Sequence, residues 1–143
     1  MTEITVLVVN WQSHQPELKA IREQVFVIEQ HVPLDLEWDG LDEAATHLLA
    51  INTAKQAVAC ARILSGGTIG RMAVIKQWRR LGIGRAVLNR AIIFCKIQGL
   101  YSVNISAQKH ALGFYAKAGF VVTSAEYMDA GLAHFDMRYD ISN

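Results

Sequence analysis

Val74-Ile75-Lys76-Gln77-Trp78-Arg79-Arg80-Leu81-Gly82-Ile83-Gly84-Arg85 joins an apolar strand to an apolar helix through two glycines and a cluster of cations. Gly82 and Gly84 permit a backbone course closed to residues with a Cβ. Several N–H groups can then converge on one anion at the positive end of the following helix dipole. Arg79, Arg80 and Arg85 add charge at the same place. The stretch reads as a phosphate cradle between a strand and a helix, the joint of an α/β fold.

Two familiar phosphate loops do not fit it. A nucleotide P-loop needs Gly-Lys followed by Ser or Thr, whose hydroxyl holds magnesium; here Gly84 is followed by Arg85-Ala86. The dinucleotide fingerprint needs a third small residue where Val87 stands, and an acidic residue ~20 positions on to meet a ribose, which is missing.

Outward from the cradle, the chain reads as alternating elements. Ile4 to Val9 is rich in β-branched residues and predicts a first strand. Leu18, Ile21, Val25, Phe26 and Ile28 recur at helical spacing between Pro16 and Gln30, with Pro16 suited to a first turn. His47 to Asn52 and Gln56 to Ser65 form a hairpin signal. Gly66-Gly67 turns the chain into Thr68 to Val74, which predicts an antiparallel meander. A helix over Gly84 to Gln98 ends at Gly99, Ser102 to Ser106 is a strand, and Ala111 to Ala118 is a short helix ended by Gly119. Phe120 to Met128 and His134 to Asp140 close the order β-α-β-β-β-α-β-α-β-β as a strand pair. With 143 residues and no linker, repeat or low-complexity segment, residues 1–143 are expected to form one domain, folding alone or as a small oligomer such as a homodimer.

Composition excludes other classes. Hydrophobic residues make up 52% and charged residues 19%, against disorder, and the net charge of +1 with no basic stripe beyond the cradle argues against nucleic acid as a partner. Cys60 and Cys95 lie in apolar runs without metal-type spacing, so they are expected to be reduced core residues, with no metal site. No signal-peptide pattern or apolar run of ~18 residues is present, so a cytoplasmic location away from membranes is expected. Acids crowd the segment from Asp35 to Glu43, which reads either as a lure for a cationic amine or as an ordinary solvated loop.

Arg79-x-x-Gly82-x-Gly84, after the strand Gly70-Arg71-Met72-Ala73-Val74, resembles the acyl-CoA loop of the GNAT superfamily of N-acyltransferases. Asn104-Ile105-Ser106-Ala107-Gln108 with Ala111-x-x-Phe114-Tyr115-x-Lys117-x-Gly119-Phe120 is similar to that family's fifth strand and following helix. Arg22-x-x-Val25-Phe26-Val27-x-Glu29-Gln30, Glu37-x-Asp39-x-x-Asp42 with His47, and Gly131-x-x-His134-x-x-Met137 look like the ElaA-like branch of small GNAT proteins. The resemblance implies a mixed α/β (α+β) fold with a largely antiparallel central sheet of about six or seven strands flanked by helices.

It also implies an acetyl-CoA-dependent N-acetyltransferase acting on a primary amine of a small molecule or protein. Arg79, Arg80, Leu81, Gly82, Ile83, Gly84 and Arg85 would hold the pyrophosphate. Met72, Ala73 and Val74 would pair with the pantetheine arm, and Asn104 would bond it. Tyr115 matches the position from which the family protonates the departing thiolate, although its spacing from Ala111 and Ala118 also suits a core tyrosine. Candidates for taking a proton from the amine are Glu29 and His134 first, then Asp39 and His47. A catalytically silent acyl-CoA sensor is the alternative that keeps the same fold.

Overall fold

The computed structural model describes residues 3–141. Strand β1 (Ile4–Asn10) leads into helix α1 (Trp11–Arg22), which runs on as a π-helical segment, Glu23–Glu29. A short helix α2 (Leu34–Glu37) follows, then β2 (Thr46–Asn52), β3 (Ala57–Leu64), β4 (Thr68–Val74), α3 (Ile83–Ile97), β5 (Ser102–Gln108), α4 (Leu112–Lys117), β6 (Val121–Val122), β7 (Tyr127–Asp129) and β8 (Leu132–Asp140). The strands form one sheet of eight in the order β1-β2-β3-β4-β5-β8-β6, with β7 paired to β8. Every pairing is antiparallel except β4 with β5.

The helix after β1 starts five residues earlier than its periodicity predicts. Asn10 caps it, its side chain accepting a hydrogen bond from Ser13 N at 2.8 Å. Pro16 does begin a helical stretch, because the chain kinks at His14 (φ −133°) where a residue lacking N–H follows. The segment from Phe120 to Met128 divides into two short strands, which raises the strand count above the six or seven expected.

The near-continuous apolar runs of β2 and β3 are explained by cover on both faces. Leu48, Ala50, Ala59 and Ala61 face α3, packing with Val87, Leu88, Ala91 and Cys95. Leu49, Cys60 and Ala73 face α1, packing with Leu18, Ile21 and Val25. The alanines of β3 let α3 lie close to the sheet. Cys60 and Cys95 are buried free thiols, and burial pushes Cys60 up to about 12. Among the described residues no helix is long and apolar enough to cross a membrane.

Candidate active site

The sheet opens beside its parallel pair. β4 and β5 are in register only at Thr68 with Asn104 and Ile69 with Ile105, and then they part. A bulge lies on β4 at the same place. Between Cys60–Ala73 and Arg62–Gly70, β4 uses one more residue than β3, and Arg71 takes a left-handed φ of +48° there. A cleft of about 460 Å³ fills the gap, lined on β4 by Gly70, Arg71 and Met72, on β5 by Ser106 and Gln108, and beyond them by Tyr115 and His134.

The open edge of β4 offers backbone groups to a ligand. Ile75 N–H donates to Val58 on β3 at 2.9 Å, so the alternation along the strand turns Val74, and before it Met72, to the open side. Ala73 sits in register with Cys60 and turns its backbone to β3, so it leaves the expected trio. Asn104 is exposed at the still-paired end of the V, its N–H donating to Gly67 at 3.0 Å, and does not line the cleft. On the same face of β5, Ser106 and Gln108 do. The period-2 rule applied onward from Asn104 would have found them.

Past β4 the chain reaches the cradle. Gly82 has φ +81° at the start of α3, where a Cβ would be strained, and Arg80 shares the left-handed region at +64°. Gly84 is helical, and its smallness serves contact instead: a Cβ there would lie 3.4 Å from Phe114 Cζ and 3.6 Å from Val74 Cγ2. Arg80, Leu81 and Arg85 are exposed around the loop and Ile83 is buried beneath it. Arg79 does not join them. Its Nε donates to the Val74 carbonyl at 2.9 Å and its two terminal nitrogens donate to Glu29 at 2.6 and 2.7 Å.

That fork also weakens Glu29 as a proton acceptor, because hydrogen bonds from Arg79 hold its carboxyl below the usual range. His47 is buried under Trp11 with Nε2 bonded to the Asp42 carbonyl, and burial lowers its pKa. His134 differs. Its Nδ1 donates to the Leu132 carbonyl at 2.7 Å, and Nε2 makes no hydrogen bond among the described residues. The ring stacks on Tyr127, whose hydroxyl donates to Asp136 at 2.6 Å and also meets Ser106.

Tyr115 comes off α4 into the cleft. The ring packs edge-on to Phe114 and Phe120, and its hydroxyl reaches Met72 Sδ on β4 at 3.7 Å. The side chain spans two surroundings: the ring packs in the core and the residue lines the cleft. Burial pushes it up to about 12. The same chain lifts the buried Cys60 thiol to about 12, so desolvation raises phenol and thiol together.

Residues 12–141 match the family model for the acetyltransferase (GNAT) domain. The chain belongs to the GNAT acetyltransferases. It is 32% identical over 123 residues to YjcF of Bacillus subtilis, an N-acetyltransferase itself uncharacterised, covering 84% of this chain and 88% of that one. It is 28% identical over 150 residues to ElaA of Escherichia coli, covering 93% and 97%. The ElaA crystal structure superposes with a TM-score of 0.83 over 98% of this chain and 100% of that one, which bears out the ElaA-like branch. An acyl-CoA N-acyltransferase from Pseudomonas aeruginosa gives 0.80 at 29% identity, covering 97% and 99%.

In this GNAT chain the acidic segment divides: Asp35 and Glu43 are exposed, while Glu37, Asp39 and Asp42 are held by arginines. Arg22, 1% exposed, donates to Glu37 at 2.9 Å and Asp42 at 2.6 Å between the rings of Trp11 and Trp38. Arg62 forks onto Asp39 at 2.9 Å through both terminal nitrogens, and Arg71 joins Glu37 and Asp39. Burial opposes the charge on Arg22, but Asp42 and Glu37 outweigh it and hold its pKa above the ordinary value. Desolvation likewise opposes ionisation of Asp39, yet Arg62 brings it down to about 2. Asp39 is therefore spent as an ion-pair partner and drops out as a base. Sequence reasoning missed Arg62 and Arg71, because strand periodicity does not say which acids a cation meets.

Proposed function

We propose that the protein moves an acetyl group from acetyl-CoA directly to a primary amine. The observation that carries this is the parting of β4 and β5, with the Tyr115 hydroxyl inside the gap and the glycine cradle at its end. Bound there, acetyl-CoA supplies a thioester carbonyl open to an amine. Backbone N–H groups at the start of α3, with Arg80 and Arg85, hold the pyrophosphate. The outward N–H groups of Met72 and Val74 pair with the pantetheine arm and stabilise charge on the carbonyl oxygen. Nε2 of His134 takes a proton from the amine. As the C–S bond breaks, the Tyr115 hydroxyl, which burial keeps protonated, gives its proton to sulfur.

Calorimetric titration with acetyl-CoA at physiological salt tests the binding half, and release of CoA thiol with a panel of primary amines tests the transfer. Saturable binding near one per chain with amine-dependent thiol release is expected. Binding without release for any amine would favour the silent sensor; no binding would remove both readings.

A further inference from the structure

The acetyl-transfer reading leaves the acceptor unnamed, and the walls of the cleft differ in a way that selects one. On the β4 wall stands Arg71, strained at φ +48° in the bulge. Its Nη2 donates to the carbonyls of Leu36 and Glu37 and to Asp39, at 3.2, 3.1 and 3.2 Å. Its Nε lies 2.9 Å from Glu37 Oε2 but out of hydrogen-bonding alignment. Nη1 donates to nothing among the described residues, and the side chain keeps 25% of its surface exposed.

A second guanidinium on the same wall is also short of an acceptor. Arg62 is 4% exposed, lines the cleft, and its buried Nε has no partner among the described residues. Asp39 has nothing left to offer: each of its oxygens already accepts two hydrogen bonds, from Leu41, Arg62 and Arg71. This wall has surplus donors.

The opposite wall is the β7–β8 hairpin. It contributes Asp129, which makes no ion pair among the described residues, and His134 with its free Nε2. Phe26, Val32 and Leu36 form an apolar side between the two walls. We propose, building on the acetyltransferase reading, that the acceptor is an amino acid: Arg71 holds its carboxylate, and the hairpin receives its amine beside His134. Asp129 attracts the ammonium form on approach, and His134 removes the proton before attack. The apolar side favours an uncharged side chain such as those of leucine, methionine or phenylalanine.

The test uses the full chain at saturating acetyl-CoA and measures thiol release for leucine, methionine and phenylalanine, each against its own amide. A charge-assisted hydrogen bond from Arg71 Nη1 predicts that kcat/KM for at least one acid exceeds that of its amide by about 10- to 100-fold, mostly through KM. Arg71→Gln should bring that ratio within about threefold while acetyl-CoA affinity holds, and Arg71→Lys, which keeps the charge without the planar guanidinium, should fall between. The wild-type ratio stands even if a variant folds poorly. Amides that match their acids, or turnover confined to amines without a carboxylate, overturn the acceptor assignment and leave the transferase reading in place. Failure to bind acetyl-CoA overturns both.

Discussion

Replacing Tyr115 with Phe separates the two parts of that side chain. The ring contacts with Phe114 and Phe120, at centroid distances of 5.0 and 5.8 Å, survive in the variant. The hydroxyl has one partner in the chain, Met72 Sδ at 3.7 Å, a weak thioether acceptor. Its removal should therefore cost less than about 1 kcal/mol, within a few degrees of Tm. Catalysis should suffer far more, because a positioned proton donor contributes about 10²- to 10⁴-fold. Stopped-flow or thiol-trapping assays should show kcat lower by about 100-fold or more, with the calorimetric Kd for acetyl-CoA essentially unchanged. The pH profile adds a sign: burial holds the phenol protonated up to about 12, so wild-type kcat should show no falling limb from Tyr115 below about pH 10. A kcat within about fivefold of wild type would refute the proton-donor assignment, given the 10²-fold floor. A large loss of Tm would show the hydroxyl to be structural.

Three further outcomes are expected. Gly84→Ala should be nearly silent because a Cβ meets only ordinary contacts at 3.4 and 3.6 Å, whereas Gly84→Val must displace Phe114 or Val74 and should weaken acetyl-CoA binding about tenfold or more; equal affinities in the two variants would remove Gly84 from the cradle. Glu29→Gln should leave kcat within about threefold and raise KM for acetyl-CoA, since it loosens the fork on Arg79 that ties the loop to Val74; a drop of about 100-fold in kcat would reinstate Glu29 as a base. Arg22→Met would leave the buried carboxylates of Glu37 and Asp42 with one guanidinium each, from Arg71 and Arg62, and should destabilise folding by roughly 3–5 kcal/mol in urea denaturation; a loss under about 1 kcal/mol would mean that Arg71 and Arg62 satisfy those acids without it.

The sequence by itself determined the elements and the anchor of the site. The short apolar runs at β2 and β3 with their turns, the glycines at the start of α3, and Tyr115 eleven residues after Asn104 are local signals, because backbone dihedrals and turn formation depend on neighbours along the chain. The cradle was legible for that reason, and with it the family. Partnership across the fold was not. Glu29 and Arg79, Arg62 and Asp39, and Gln30 and Gln108 are separated by 50, 23 and 78 residues, and no sequence rule says which carboxylate a guanidinium will reach. A carboxylate that accepts a fork from arginine is a poor base whatever motif it sits in, so the pairing decided the roles of Glu29 and Asp39. The bulge at Arg71 was hidden too. It arises from a register mismatch between β3 and β4, a property of two strands together, and it sits beside the cleft lined by Tyr115 and His134.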